Sequence, residues 1–331
     1  VSVGLYLGRK HVGLLMDHRS VLSTLSRVCV SVLLLWFVVS QVGVTSLVEN
    51  IAGLPRQILV IAAIFSIINV GISAWQWRVL LQCKGIARSY LSILKYYYIG
   101  QFFNAFLPTA IGGDTARMYY AYTDFDADAD AVSSVAVERL TGLAVIFLFG
   151  GVGAAVVADR LPNLVAGSLI TVSIGGLTIL SLALFTDILR SILERTAFRL
   201  EFRRIGHRFE QVYSSIGEYR GNTRSLVKVI LLSAVFRIIL VVNHYLVALG
   251  LDMEISFIYF VILIPLVELI LFIPVSIQGF GVREASYVYL FTGVGATAGT
   301  ALTLGVIMQL ILGVLNNILG GGIYVVHSVR Q

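Results

Sequence analysis

The chain has 331 residues, of which 58% are hydrophobic and 13% are charged, and its formal net charge is +6. A mean hydropathy of +0.91 excludes an ordinary soluble domain and indicates a polytopic membrane protein. The two cysteines, Cys29 and Cys83, imply no disulfide framework.

Six apolar stretches approach the ~20 residues that a helix needs to cross a bilayer. They lie at about 22–42, 58–81, 131–157, 162–186, 225–249 and 300–327. Because mixed residues precede the first stretch and no small-residue cleavage site follows it, we expect an anchor and not a cleaved signal peptide. Two further apolar stretches, 90–107 and 256–273, each run into a segment with Pro and Gly.

The positions of Lys and Arg indicate the topology, since basic residues in short loops mark the cytoplasmic side. They cluster before the first stretch, after the second, and between 190 and 228. A single crossing by 90–130 would put the most basic loop outside, so we expect a helical hairpin that enters from the cytoplasm and returns. Counting membrane crossings in the same way predicts a second hairpin, which is entered from the outer face and returns to it. Both termini are then expected in the cytoplasm. The predicted arms are 90–107 with 113–122, and 256–273 with 281–290.

Two motifs at the ends of these stretches align without gaps. "FLPTAIGGDTAR" at 106–117 and "FIPVSIQGFGVR" at 272–283 share five identities in twelve columns, and the flanking spans keep the same offset. Frequent Pro and Gly in membrane helices explains either motif singly, but not both in register. We therefore predict one membrane domain over 1–331, with repeat 1 at about 20–157 and repeat 2 at about 162–327.

The predicted fold class is an all-α polytopic membrane protein with about six full transmembrane helices and two re-entrant helical hairpins. Because the hairpins open to opposite faces, the repeat is inverted, which is the arrangement that alternating-access transporters use around a midplane site.

The hairpin tips are predicted to face an interior cavity, because irregular backbone at membrane depth needs protein or water partners. Each restarting helix points free amides and its positive dipole end at the tip, which suits phosphate. Arg117 and Arg283 lie about one turn in, where a guanidinium can hold two phosphate oxygens. The alternative is that Arg117 pairs with Asp114, an ordinary N-cap. The candidate substrate-binding residues at the tips are Gly112, Gly113, Asp114, Arg117, Gly279, Gly281, Arg283 and Glu284.

Further polar residues lie at predicted membrane depth. Glu138, Arg139 and Arg237 complete the candidate substrate-binding set, and Glu268 lies in the second hairpin. Compensating ion pairs within the protein are the favoured interpretation for these charges, and titration under a proton gradient is the alternative. Asn316 is expected to bond across helices.

At these same residues the chain resembles the transmembrane flippase region of lysylphosphatidylglycerol synthases and its stand-alone relatives. "LPTAIGGDTAR", "VERLTG" at 137–142 and "IPVSIQGFGVREA" at 273–285 carry the resemblance, which covers essentially the whole chain. It implies translocation of a phosphate-bearing lipid between leaflets. Gln278 departs from the pattern, since a small residue is expected before the glycine that follows. The aminoacyl-transferring domain of the synthases has no counterpart here, so that activity is not expected. The residues in shared positions are Gly113, Asp114, Arg117, Arg283 and Glu284.

The remaining motifs predict no cofactor and no metal. "DFDADAD" at 124–130 lacks the Gly and Glu of a calcium loop, so its acids are interpreted as solvated helix caps. P-loop, GxSxG, HExxH and CxxC motifs do not occur. The basic segment at about 187–224 predicts a cytoplasmic amphipathic helix that attracts anionic lipids of the inner leaflet, and not nucleic acid.

The leading hypothesis is a translocase in the cell (inner) membrane that flips a phospholipid or a polyprenyl-phosphate-linked lipid, without covalent catalysis. One alternative is a membrane-embedded transferase acting on a polyprenyl-phosphate lipid, with Asp114 or Glu138 as base. Another is a non-transporting subunit that recruits a soluble partner. The sequence leaves the oligomeric state open, a homo-oligomer included.

Overall fold

Helices make up all the regular secondary structure in the part of the chain that the computed structural model describes. This part comprises residues 31–40, 43–106, 112–127, 129–156, 158–160, 163–186, 214–271 and 279–329, with single positions 29, 211, 212 and 276. In chain order the helices are α1 (Ser31–Ser40), α2 (Val44–Gly53), α3 (Arg56–Cys83), α4 (Tyr90–Phe106), α5 (Gly112–Phe125), α6 (Ala129–Val156), α7 (Asn163–Phe185), α8 (Thr223–Gly250), α9 (Phe257–Leu271), α10 (Val282–Thr292), α11 (Ala298–Met308) and α12 (Asn316–Val329). A π-helical turn, Gln309–Leu315, joins α11 to α12.

Four of these helical runs are long and apolar enough to cross a membrane, namely α3, α6, α8 and the continuous α11–α12. The pair α1 and α2, bent by 82°, adds a fifth if it counts as one span. Of the predicted first span, 22–42, the described part is α1 and position 29. The predicted span at 162–186 corresponds to α7, whose apolar stretch is the shorter Ala166–Leu182. The chain is therefore a multi-pass helical membrane protein.

The predicted hairpin arms correspond to α4 with α5 and to α9 with α10. With 17 and 15 residues, α4 and α9 fall short of the ~20 residues of a full span. Between α4 and α5 the backbones come close, since a Cβ at Gly113 would overlap the carbonyl of Gly100. Gly281 has φ +80°, and a Cβ there would meet the backbone of α1. The tip positions Pro108, Pro274 and Gln278 lie outside the described residues.

Helix packing relates the two halves of the chain. The central pair is α3 against α8, which both have 28 residues. Around it, the first half contributes α4, which packs on α12, and α2, which packs on α11. The corresponding helices of the second half, α9 and α7, both pack on α6. If α2–α6 correspond to α7–α12, each of these contacts maps onto its counterpart. The first arms of the two hairpins, α4 and α9, are therefore each held by the long last helix of the other half.

Polar side chains are concentrated inside this bundle, while apolar side chains cover its outside. Trp36, Ile179 and Leu231 are 60% or more exposed, as expected for side chains that face lipid. Three apolar cores lie beneath, around Trp77 and Ile99, around Leu80 and Val137, and around Phe260 and Phe291. Between them lie buried charges and amides, including Asp114, Arg117, Arg237 and Asn69.

Candidate functional site

A polar cavity of about 400 Å³ lies between the two halves of the bundle. Its wall takes residues from α3, α4 and α6 and from α8 to α10, together with the π-helical turn and the start of α12. This volume is near the lower end of the ~300–1,000 Å³ of small-molecule sites, so it suits a lipid head group and not a whole lipid. The polar and charged residues of the wall are Ser66, Asn69, Ser73, Tyr97, Gln101, Asn104, Arg139, Glu268, Ser276, Arg283, Gln309, Asn316 and Asn317.

A closed network of charges supports the first tip, at the start of α5. Arg117 bonds through Nη2 to Asp114 Oδ1 at 2.5 Å and through Nη1 to Glu138 Oε2 at 2.9 Å. Arg139 Nε lies 2.9 Å from Asp114 Oδ2, and the Tyr97 hydroxyl donates to Glu138 Oε1 at 2.9 Å. Two arginines therefore face two carboxylates, and the network is formally neutral.

The network places Arg117 and Arg139 differently with respect to the cavity. Arg117 is 2% exposed and lies behind the wall, with its guanidinium carbon 4.3 Å from the ring centroid of Tyr97. The alternative that Arg117 pairs with Asp114 is confirmed. The Arg139 side chain is 48% exposed and lines the cavity, so it is the arginine of this network that faces the cavity.

At the second tip, at the start of α10, the arginine has a different environment. Arg283 is half-buried on the cavity wall. In the described part of the chain, no carboxylate lies within salt-bridge distance of its guanidinium. Its buried Nε also lacks a hydrogen-bond partner. The neighbouring Glu284, 1% exposed, instead accepts the amide of Gly281 at 2.7 Å.

The backbone amides of both tips are partly occupied by the protein's own side chains. Besides the amide of Gly281, that of Gly113 donates to Asn104 Oδ1 at 2.6 Å. The predicted phosphate contacts at these two amides are therefore replaced by helix caps. Gly112 and Gly113 are buried, and Gly279, at φ +81°, lies on the wall.

The remaining predicted charges also form an ion pair. Arg237, 4% exposed on α8, bonds to the carboxylate of Glu268 on α9. Glu268 itself lines the cavity. The predicted compensating pairs are thus present in both halves. Within the described residues, His, Cys, Asp and Glu form no group of three or more arranged for a metal ion.

Sequence reasoning did not assign Asn69 or Gln309 to the site. Ser66, Asn69 and Ser73 follow one another at i, i+3 and i+7 on α3, which is the spacing of one helix face. Gln309 belongs to the π-helical turn, and such turns occur often at functional sites. A polar stripe inside an apolar span is the sequence signal that could have identified these residues. Asn316 Nδ2 donates to Ser66 Oγ at 2.8 Å, so its predicted bond across helices is confirmed.

The fold and the site together define a multi-pass α-helical membrane protein whose broken helices enclose a polar, charged chamber. The sequence model of the lysylphosphatidylglycerol synthase TM region matches residues 24–320. The chain belongs to this family, and membership indicates a membrane protein that acts on lipids. Among curated proteins, none matches the chain.

Proposed function

We propose that this protein translocates a phosphate-bearing lipid between leaflets, holding the head group in the central cavity while the hydrocarbon chains stay in lipid. The observation that carries this proposal is Arg283, a cation on the cavity wall that no described carboxylate neutralises. Arg139 adds a second guanidinium to the same wall. A lipid phosphate supplies the anion that Arg283 favours, and Arg139, although paired with Asp114, adds hydrogen-bond donors beside it.

An unpaired cation at membrane depth is costly, and such residues commonly mark a substrate pathway. Arg117 and Arg237 are each neutralised by carboxylates that lie within hydrogen-bonding contact. Arg283 differs from both, which singles it out as the ligand-facing arginine. In this proposal Arg117 positions Asp114 and so orients Arg139 toward the phosphate.

The proposed topology has six spans, with α4–α5 and α9–α10 as re-entrant hairpins of an inverted repeat. The short lengths of α4 and α9 and the reciprocal packing of the halves support it. An inverted pair allows the two halves to exchange conformations and open the cavity to each face in turn. We place the protein in the cell membrane with both termini in the cytoplasm, following the distribution of basic residues.

Leaflet transfer in reconstituted vesicles tests the proposal. Fluorescent phospholipid in the inner leaflet becomes accessible to a membrane-impermeant quencher as it is moved outward. Arg283→Gln should slow transfer by about tenfold or more, since a charge-assisted hydrogen bond contributes ~1.5–3 kcal/mol. Lys228→Gln is the matched control, because Lys228 lies over the ring of Trp75 at 5.5 Å and not on the wall. Equal transfer by the wild type and Arg283→Gln would contradict the proposal.

We propose transport without covalent catalysis. The two carboxylates suggested as bases, Asp114 and Glu138, each accept a bond from Arg117 on one oxygen. Their other oxygens accept from Arg139 and from the Tyr97 hydroxyl, so every oxygen that a base would use already has a donor. The transferase alternative predicts a covalently altered lipid after incubation, which mass spectrometry would detect. The recruiting-subunit alternative predicts a co-purifying partner without leaflet transfer.

A further inference from the structure

The central helix pair, α3 and α8, is joined by two hydrogen bonds that mirror each other. Gln76 on α3 donates through Nε2 to the Val229 carbonyl at 3.3 Å. Asn243 on α8 donates through Nδ2 to the Ala62 carbonyl at 3.1 Å. Since α3 begins at 56 and α8 at 223, equal positions in the two helices differ by 167. The two donors therefore occupy equivalent positions, as do the two acceptors, and each bond is the counterpart of the other.

The order of these contacts gives the relative direction of the two helices. As the position on α3 rises from 62 to 76, the bonded position on α8 falls from 243 to 229. The helices therefore run antiparallel, which supports the inverted repeat of the proposed topology. Ala62 and Gln76 are ~21 Å apart along the helix axis, so the two bonds lie toward opposite ends of the pair.

The central cavity lies between the two bonds. Three α3 residues and two α8 residues at intermediate positions line its wall, namely Ser66, Asn69, Ser73, Phe236 and Leu240. With Ser233 and the four bonded residues they repeat at alternating spacings of four and three, which is the pattern of the facing sides of two packed helices. This α3–α8 seam is thus bonded near both ends and encloses part of the cavity at its middle.

Each bond is weak enough to be broken during a change of conformation. Gln76 and Asn243 are 5% and 0% exposed, so the bonds form away from bulk water. Both acceptor carbonyls lie inside helices, where the amide four residues further on already bonds to them. Losing the side-chain donor therefore leaves no carbonyl unpaired. Side-chain hydrogen bonds between membrane helices average a factor of about three in an equilibrium constant.

The two ends of the seam differ in strength. Gln76 Nε2 also donates to Ser233 Oγ at 2.6 Å. Asn243 has a side chain shorter by one methylene, and within the described residues its Oδ1 has no partner. The end at Gln76 is therefore held more firmly than the end at Asn243.

We propose that these two bonds are the gates of the cavity and that they open in turn. While one bond holds, release of the other lets α3 and α8 separate at that end alone. The Gln76 gate faces the end of α3, which the proposed topology places in the cytoplasm, and the Asn243 gate faces the outer side. This inference rests on the proposed function, because alternate opening is the property of a transporter.

Labelling of one cavity cysteine from each side of the membrane tests the gates. In a background with Cys29→Ser and Cys83→Ser, the substitution Ser73→Cys places a single thiol on the wall. A membrane-impermeant maleimide is applied to spheroplasts, which expose the outer face, and to inverted vesicles, which expose the cytoplasmic face. Gln76→Leu should raise the labelling rate from the cytoplasmic face about threefold or more, and Asn243→Leu should raise the rate from the outer face by about threefold.

Asn50→Leu is the matched control. Asn50 on α2 also donates to another helix, bonding to Thr303 Oγ1 on α11 at 3.2 Å, but neither residue belongs to the seam or the wall. Its labelling rates from both faces should equal those of the parent protein. Thermal unfolding in detergent shows whether each variant folds. Ser233→Ala, which removes one acceptor of Gln76, replaces Gln76→Leu if that variant is unstable, and Asn243→Ala likewise replaces Asn243→Leu.

The sidedness of labelling separates this inference from the proposed function. Opposite responses of the two variants in a protein that transfers no lipid would support the gates and contradict translocation. Equal increases from both faces would show that the bonds only stabilise the bundle. Unchanged labelling in both variants would show that neither bond closes the cavity. Either of these last two results would overturn the gates, while lipid transfer by the wild type would leave translocation standing.

Discussion

The two tips of the repeat place aligned arginines in opposite electrostatic settings. Arg117 bonds to two carboxylates and is almost completely buried, whereas Arg283 lines the cavity with no described carboxylate in salt-bridge distance. Both carboxylates make the difference, since Phe280 takes the position aligned with Asp114 and α6 brings Glu138 to Arg117 across 21 residues of sequence. Aligned positions of the two motifs thus hold one arginine inside a closed ion-pair network and one on the cavity wall.

The helix caps of the two tips are similar, in contrast to the surroundings of the two arginines. The amide of Gly113 is accepted by Asn104 from α4, and that of Gly281 by Glu284 from its own helix. Side chains from different elements thus accept hydrogen bonds from the corresponding amides. An amide at a helix start has no partner within the helix, so it requires another acceptor in the absence of water. The tips are alike in backbone chemistry and unlike in charge.

Removal of each arginine in turn is the sharpest test of this contrast. Arg117→Met should lower the free energy of unfolding by ~3–5 kcal/mol, because it leaves the buried carboxylate of Glu138 without a cationic partner. Arg283→Met should change it little, because it separates no ion pair in the described residues. Denaturant titration in detergent micelles measures both. Equal losses would show that Arg283 also has a structural partner.

A double variant sharpens the same prediction. Arg117→Met combined with Glu138→Gln should recover part of the loss, because the second change removes the unpaired charge. Strictly additive losses would indicate that Glu138 is not the partner on which Arg117 depends.

Added side chains at the tip glycines should have an intermediate effect. Gly281→Ala should cost ~1–3 kcal/mol, since its φ of +80° is strained for alanine and its Cβ would meet the backbone of α1. Gly113→Ala should cost a similar amount through overlap with the Gly100 carbonyl and the Asn104 side chain, without backbone strain. Gly142→Ala is the control, because a Cβ added at Gly142, within α6, would meet nothing within 4 Å, and alanine there should stabilise by about 0.5–1 kcal/mol.

The smallest expected effects concern the two caps. Asn104→Ala and Glu284→Ala should each lower the free energy of unfolding by ~1 kcal/mol, the typical effect of losing a helix cap. The same denaturant titration measures them. A much larger loss for Glu284→Ala would show that this buried carboxylate also balances Arg283, which would weaken the contrast between the tips.

Several local features of the molecule could be predicted from sequence. The arms predicted at 90–107 and 113–122 correspond to Tyr90–Phe106 and Gly112–Phe125. Apolar length and helix-breaking residues act over a few neighbours, so they can be recognised along the chain. That Arg237 and Glu268 would take part in compensating pairs also followed from sequence, because charges inside a membrane need partners, while the structure identified them as each other's partner.

The residues that line the cavity could not be predicted from the sequence. A single asparagine in an apolar span, such as Asn69, does not reveal which face of α3 meets the cavity. The polar wall forms only where several helices converge, and it combines side chains as far apart as Ser66 and Asn316. The start and end of each element are local properties, while the surroundings of a side chain are not.

By itself, the sequence determined a multi-pass helical membrane protein with two matched breaks and with arginines at equivalent positions. These properties depend on hydrophobic length and on the local effects of Pro and Gly. Only the tertiary structure decided that Glu138 and Arg139 complete the network around Arg117 and Asp114, which amides are capped and which residues line the cavity. The physical reason is that a charge or an amide takes its role from the groups within hydrogen-bonding distance, and packing brings those groups from distant helices.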